Sequence, residues 1–246
     1  MNTRQKKILA TIIEEYTTTG LPVGSHVLVE KYGFAVSTAT LRNDMVHLEE
    51  EGFLHQPHVS AGRMPTDKGY RYFVENVMQD QQLSKKEQQK MQKELLQLRA
   101  RNVRLTRTTA KLLSVLSGNV AFSGMPEKNE FYEFGLRGLL QEAESEDIDE
   151  LCRLAEVLDY IDERCDVLMR ELPNDETKIF IGKENPISEI SNYSMVVSPY
   201  HDKSGGRGII ALIGPKRMKY DKNKSLIDYV KKFLSTSAVI IIIISL

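Results

Sequence analysis

The stretch that decides the fold of the first part of the chain is FLHQPHVSAGRMPTDKGYRYF, residues 53–73. FLHQP predicts a short strand, HVSAGRM a turn, and MPT the returning strand of a hairpin. Gly62 and Pro65 prevent a regular helix through this stretch, and a single Arg63 stands near its tip. Thr66 then predicts the N-cap of a helix, DKGYRYFVENVM. The stretch is therefore expected to form a hairpin followed by a helix.

Three further helices are predicted before this hairpin. Apolar residues recur at helical spacing through residues 4–16. Ser25 predicts the N-cap of a short second helix that ends at Gly33, and Ser37 predicts the N-cap of a third helix that runs to about Glu51. Three helices, a hairpin and a fourth helix are typical of a winged helix-turn-helix domain, here residues 1–76.

The third predicted helix has two different ends. Leu41, Met45 and Leu48 repeat at the spacing of a buried stripe, while small and hydrogen-bonding side chains lie on the opposite side towards the N-terminus. The acids Glu49–Glu51 lie at the C-terminal end. This polarity suits a helix whose N-terminus meets a phosphate backbone, although a solvated amphipathic helix explains the same pattern.

In a winged helix-turn-helix, the third helix enters the major groove of DNA and the hairpin reaches a flanking groove. The sequence therefore gives the hypothesis that Arg63 enters a minor groove from the hairpin tip. The alternative is an ordinary exposed arginine.

Composition limits the remaining possibilities. The 246 residues carry a formal net charge of −1, but residues 77–118 carry +6 and residues 119–176 carry −12, so a nucleic-acid surface is expected to be local. No secretion signal is recognisable, and the apolar run 238–244 is shorter than a membrane span requires. With only two cysteines, a cytoplasmic protein without a membrane segment is expected.

A family resemblance adds to this interpretation. From Arg4 to Val74 the sequence resembles the N-terminal domain of the HrcA heat-inducible transcription repressors, most specifically in GLPVGS, STATLRNDM, LEEEGFL and SAGRMPTDKGYRYFV. The resemblance implies a homodimer that represses chaperone genes from an inverted-repeat operator of double-stranded DNA, the CIRCE element. It also implies that the chaperonin GroEL modulates the repressor and that heat releases it.

The resemblance places the recognition residues of the family at the third helix and the hairpin. Arg42 and Asn43 have side chains suited to guanine and adenine edges, and the hydroxyl residues suit phosphates. Lys68 and Arg71 are predicted to reach the DNA backbone as well. The complete set of expected DNA contacts is Ser37, Thr38, Thr40, Arg42, Asn43, Arg63, Lys68 and Arg71.

Residues 77–118 are predicted to form a linker built on one long helix, residues 84–116, without proline or glycine. Met91, Leu95, Leu98 and later apolar residues alternate in steps of four and three, which is typical of a coiled-coil seam. Asn102 falls at a seam position, where a polar residue would fix the register of a dimer. The alternative is an amphipathic helix packed on its own domain.

Residues 119–246 resemble a shortened form of the GAF-like α/β sensor domain of the family. TKIFIG predicts a strand, ISEISNYS a short helix, MVVSPYHDKSGGRGIIALIGP a hairpin and DKNKSLIDYVKKFL a helix. The acidic region that starts at NEFYEF is predicted to be helical, and residues 238–246 receive no functional interpretation. The overall expectation is an α+β chain.

Two other functions remain as alternatives. The second hypothesis is a transcriptional regulator whose GAF-like half senses a small molecule. The glycine-rich hairpin near Gly205 is weak support for a phosphate site, because a hairpin of this kind needs its glycines for the backbone. An enzyme is disfavoured because neither paired carboxylates nor a nucleophile with a base is recognisable. His55 and His58 have no acidic or thiol neighbour at ligand spacing, so neither a metal nor another cofactor is expected.

Overall fold

The structure is a computed structural model that describes residues 1–79, 83–100, 105–138, 148–202 and 205–235, except for the side chains of residues 96–100 and 150. These residues form two compact units. The first unit consists of residues 1–79 with residues 216–219, and the second contains the other described residues. The chain is of the α+β class, as the sequence predicts.

The first unit contains four helices and a small hairpin. The helices are α1 (Thr3–Thr19), α2 (Ser25–Glu30), α3 (Thr38–Glu50) and α4 (Asp67–Asn76), and the hairpin strands are β1 (Leu54–His55) and β2 (Met64–Pro65). The strands pair antiparallel, with Leu54 opposite Pro65.

The core of the first unit is the apolar stripe that the helical spacing predicts. Ile8 and Ile12 of α1, Leu28 of α2, and Leu41 and Leu48 of α3 are all fully buried. Because each helix contributes one apolar face, the opposite faces remain in solvent.

Local capping explains where two of these helices begin. The Ser37 side chain accepts a hydrogen bond from the backbone N–H of Thr40, and the Thr66 side chain accepts one from Gly69. Both predicted N-caps are confirmed. The predicted N-cap Ser25 is wrong, since α2 begins one residue earlier than expected and Gly24 occupies the cap position without a side-chain bond.

The second unit is built on a five-stranded antiparallel sheet with helices on both faces. Its strands are β3 (Val120–Met125), β4 (Glu130–Phe134), β5 (Lys178–Ile181), β6 (Tyr193–His201) and β7 (Arg207–Pro215), in the spatial order β4-β3-β7-β6-β5. Its helices are α5 (Lys85–Ala100), α6 (Leu105–Ser117), α7 (Ile148–Asp159), α8 (Ile161–Arg170) and α9 (Tyr220–Ser235).

Successive side chains of a strand point to opposite faces of the sheet, so each face packs against its own layer of helices. Phe122 of β3 and Met195 of β6 face α7 and α8, where they join Leu154 and Leu168 in the larger core. Ser194, the residue before Met195, faces the other way and its hydroxyl lies 2.8 Å from the Tyr220 hydroxyl at the start of α9. The sheet therefore buries both of its faces.

The predicted single helix over residues 84–116 is wrong. Leu95 of α5 and Leu112 of α6 share one buried cluster with Phe233 of α9. In one straight helix, seventeen residues would separate these leucines by about 25 Å. Residues 85–117 therefore contain two helices, α5 and α6, that pack against each other.

This packing indicates which contacts the apolar positions of the heptad pattern make. The seam positions Met91 and Leu95 are fully buried in the single chain, Leu95 against Leu112 and Phe233, which favours the alternative of a helix packed on its own domain. Asn102, the predicted register-fixing residue, lies outside the described residues.

The acidic middle of the chain is only partly helical. NEFYEF, predicted as helix, contains β4, which pairs antiparallel with β3 through Ser123 and Tyr132. The predicted strand, short helix, hairpin and helix of the last third are confirmed as β5, a turn of 3-10 helix at Ser188–Ile190, β6 with β7, and α9. Residues 238–246 lie outside the described residues.

No helix in the described ranges combines the length and hydropathy that a membrane span requires.

Candidate nucleic-acid interface

The N-terminal end of α3 presents a small polar surface. Ser37, Thr38 and Ala39 are exposed, and the Ser37 hydroxyl lies 2.9 Å from the Thr40 hydroxyl. The first turn contains no acidic residue. Free backbone N–H groups, the helix dipole and these hydroxyls all favour a phosphate oxygen at this end.

The outer face of α3 continues this surface with longer side chains. Arg42 and Asn43 are exposed, and no hydrogen bond or ion pair to either side chain occurs within the described part of the chain. His47 lies further along, with Nδ1 3.2 Å from Glu50 Oε2. The two side chains suited to base edges are therefore available for an external partner.

The buried face of α3 is fixed to α1 by an ion pair. Arg4 Nε lies 2.6 Å from Asp44 Oδ2, and Arg4 also donates to the other carboxylate oxygen from its terminal nitrogen. Asp44 is only 5% exposed. This two-pronged contact holds the outer face of α3 at a defined rotation relative to α1.

A second charged contact fixes the segment that precedes α3. Glu15 Oε2 accepts hydrogen bonds from Lys31 Nζ and from the Tyr32 hydroxyl, each at 2.5 Å. The hydrogen bond from Lys31, followed by that from Tyr32, lowers the pKa of the Glu15 carboxyl. The same carboxylate raises the pKa of Tyr32 to about 12.

The structure corrects the expected position of Arg63. Its side chain is directed into the unit and the residue is only 8% exposed. The Nε atom lies 2.8 Å from Glu49 Oε2, an ion pair in which the N–H is not aligned for a hydrogen bond. The Arg63 backbone also exchanges two hydrogen bonds with Val23, each at 2.9 Å. An arginine held in this way is not an exposed side chain at the hairpin tip.

Close backbone approach explains the glycine next to Arg63. A Cβ atom on Gly62 would lie 2.3 Å from the carbonyl carbon of Val23, so a larger residue cannot fit. The motifs GLPVGS and SAGRM thus meet in space through Val23, Gly62 and Arg63.

The other two predicted backbone contacts, Lys68 and Arg71, lie on α4 and not on the outer face of α3. Lys68 Nζ donates to the Glu51 carbonyl at 2.7 Å and sits 4.5 Å from the centre of the Phe53 ring. This is the C-terminal end of α3, about 20 Å along the helix from Ser37. Arg71 lies on α4, with Nε 3.9 Å from Glu75 Oε1.

The glycine-rich hairpin of the second unit does not resemble a phosphate site. The Asp202 carboxylate accepts a hydrogen bond from the Gly206 N–H at 2.8 Å and forms an ion pair with Lys128. Because the Asp202 carboxylate already accepts the Gly206 N–H, it would repel a second anion at this turn. Among the described residues, no group of histidine, cysteine and acidic side chains could hold a metal ion.

These features define a class of two-unit protein, in which a helical unit with a small hairpin precedes an α/β unit built on an antiparallel sheet. Residues 69–223, more than half of the chain, match the family model of the HrcA protein C terminal domain. The chain belongs to the HrcA family.

Individual relatives agree with this assignment. The protein named Heat-inducible transcription repressor HrcA of Thermodesulfovibrio yellowstonii is 27% identical, over 93% of this chain and 95% of the relative. The protein of the same name from Chloroflexus aurantiacus is 42% identical over 123 residues, which cover 50% of this chain and 33% of the relative. The first of these alignments extends over 332 positions, more than the 246 residues of this chain, so the relative contains segments without a counterpart here.

The fold has a counterpart among solved structures. A crystal structure of a hypothetical protein superimposes with a TM-score of 0.72, at 20% identity and over 96% of both chains.

Proposed function

We propose that this chain is a transcription repressor whose first unit is a winged helix-turn-helix that binds double-stranded DNA. The observation that supports this most strongly is the outer surface of α3, which combines an acid-free N-terminus with the unengaged side chains of Arg42 and Asn43. The name of the relatives, heat-inducible transcription repressor, agrees with it.

In this proposal, α3 enters the major groove by its N-terminal half. Arg42 reads a guanine edge and Asn43 an adenine edge, because their side chains match the donor and acceptor patterns of those bases. Ser37, Thr38 and Thr40 hold phosphates, which positions the helix without reading sequence. Lys68 and Arg71 remain candidates for contacts to the flanking backbone.

The two-fold symmetry of a repressor dimer predicts the form of its DNA operator. Two copies of the first unit, related by a two-fold axis, recognise an inverted repeat whose half-sites are separated by whole turns of the double helix. The HrcA resemblance supports a homodimer and an operator of the CIRCE type. Because Met91 and Leu95 are fully buried in the single chain, the proposed dimer contact lies elsewhere than in a coiled coil through these positions.

A binding titration tests the proposal. The full chain is mixed with a labelled duplex that carries the inverted repeat upstream of its own gene, and with a scrambled duplex of the same composition. We expect nanomolar affinity for the first and at least about 1,000-fold weaker binding to the second. Equal affinity for both duplexes would contradict the proposal.

Heat is proposed to release the repressor through opening of the second unit. The layer between α6 and the sheet supports this, since the buried hydroxyl of Thr109 lacks a hydrogen-bond partner within the described residues, which lowers the stability of this layer. Hydrogen exchange on warming should show the second unit opening before the first. The reverse order would count against this route.

Modulation by a GroEL-type chaperonin is proposed from the family resemblance. A pulldown of the full chain from warmed lysate tests it, with recovery of the chaperonin as the expected result. Equal recovery on unloaded resin would contradict it.

A further inference from the structure

The hairpin formed by β1, β2 and the turn between them, residues 54–65, is called the wing below. Its apex is a β-turn in which the Ala61 N–H donates to the His58 carbonyl at 2.9 Å. Val59 and Ser60 are the two central residues of this turn. Val59 is 97% exposed.

Turn chemistry does not require a valine at this position. Glycine, proline, asparagine, aspartate and serine dominate turns, and a β-branched apolar side chain is better suited to a strand. The isopropyl group of Val59 nevertheless stands in water at the apex of this turn and does not contribute to the core.

The apex is held rigidly by one side chain. Gln56 Nε2 donates to the Val59 carbonyl at 3.0 Å and to the Ala61 carbonyl at 2.8 Å. The Gln56 backbone N–H in turn donates to Glu49 Oε1 of α3 at 2.9 Å. The apex is thus tied to the helix that the proposed function places in the major groove.

Charge does not provide the contact at this apex. Residues 54–62 contain no lysine, arginine, aspartate or glutamate, and Arg63 is directed inward onto Glu49. Three side chains at the apex are exposed, those of His58, Val59 and Ser60, and Val59 alone among them is apolar. Proteins that enter the minor groove commonly place apolar side chains there.

We infer that Val59 is the DNA contact of the wing, and that its isopropyl group packs against the sugar walls of the minor groove beside the half-site read by α3. This inference rests on the proposed function. Because Gln56 and Glu49 order the apex before binding, little conformational entropy is lost on contact.

The test compares Val59→Ala with wild type in titrations of the full chain against the inverted-repeat duplex at several salt concentrations. We expect Val59→Ala to bind about 5- to 10-fold more weakly, since apolar contact is lost. The slope of log affinity against log salt should not change, because no phosphate contact is removed. Leu21→Ala is the matched control, since Leu21 is 68% exposed in the same unit but lies outside the wing.

A second measurement reports on the groove itself. Replacing adenine by diaminopurine in the base pairs flanking the half-site adds an amino group to the minor groove. Wild type should lose affinity on this duplex, and Val59→Ala should lose less.

The inference is overturned if Val59→Ala binds within twofold of wild type, or if its loss of affinity is accompanied by a smaller salt slope. Failure of the proposed function looks different. In that case wild type itself does not distinguish the inverted repeat from the scrambled duplex, and the inference about Val59 fails with it.

Discussion

Glu49 of α3 and Arg63 of the wing form an ion pair, with 2.8 Å between Oε2 and Nε. The other oxygen of the same carboxylate accepts the Gln56 N–H. Glu49 therefore contacts the residue that follows β1, Gln56, and the residue that precedes β2, Arg63. These two contacts fix the angle between α3 and the wing.

Arg63→Ala is expected to destabilise the first unit by about 1–3 kcal/mol, because the Glu49 carboxylate loses its cationic partner and keeps only the Gln56 N–H. Thermal unfolding and hydrogen exchange at the Val23 amide in the full chain measure this effect. DNA affinity should fall without any change in salt slope. Unchanged stability together with a slope reduced by about one would mean that Arg63 contacts a phosphate after all.

Arg42→Ala is expected to lower the discrimination between operator and scrambled duplex by about 1–3 kcal/mol, because a bidentate contact to a guanine is lost. Unfolding should be unaffected since Arg42 is exposed. Competition titrations with duplexes substituted at single positions measure the loss. Lys6→Ala, an exposed change on α1, is the control and should leave discrimination intact. If both variants behave alike, the role of Arg42 as a base-reading residue is refuted.

Leu95→Ala is expected to destabilise the second unit by about 2–5 kcal/mol, the usual cost of removing a fully buried leucine. Its effect should be independent of protein concentration, because Leu95 packs against Leu112 and Phe233 of the same chain. Urea unfolding at two protein concentrations tests this, with exposed Val115→Ala as the control. Dissociation of a dimer without loss of stability would restore the coiled-coil interpretation.

Glu15→Gln is expected to change how stability depends on pH. The bonds from Lys31 and Tyr32 lower the pKa of Glu15 from its ordinary 4.5, so the carboxylate stabilises the fold above about pH 4.5. That contribution is lost as pH falls through the lowered pKa of the folded state. Urea unfolding of wild type between pH 3 and pH 6 should therefore show a steeper loss of stability than Glu15→Gln. Parallel curves would contradict the assignment.

Two threonines of α6 should respond in opposite directions to the same change. Thr109→Val removes a buried hydroxyl that has no hydrogen-bond partner in the described part of the chain, so stability should be unchanged or higher. Thr106→Val removes a hydroxyl that donates to Glu130 at 2.9 Å, so stability should fall by about 1–3 kcal/mol. Under the heat-release proposal, Thr109→Val should also raise the temperature at which DNA is released. A lowered release temperature for Thr109→Val would contradict that route.

The sequence predicts those features that depend on neighbouring residues. The starts of α3 and α4 follow from Ser37 and Thr66, whose side chains bond to backbone groups three residues away. The outer face of α3 follows from a helical period that puts Leu41 and Leu48 inside.

Features set by distant residues could not be predicted in this way. Arg63 is buried because Val23 and Glu49 surround it, and neither is near it in sequence. The heptad pattern around Leu95 is equally compatible with a partner helix in another chain or in the same one, and only the position of Leu112 decides. The strand β4 could not be predicted from its acidic sequence, because the charge of a segment does not indicate a pairing such as that of Tyr132 with Ser123.

The measurement that tests the central claim most directly is chemical protection of guanine N7, which lies in the major groove, on the inverted-repeat duplex. With wild type bound, we predict protected guanines at symmetric positions in the two half-sites, and loss of that protection in Arg42→Ala at concentrations that still saturate the duplex. Guanines that remain fully reactive under bound wild type would contradict the entry of α3 into the major groove.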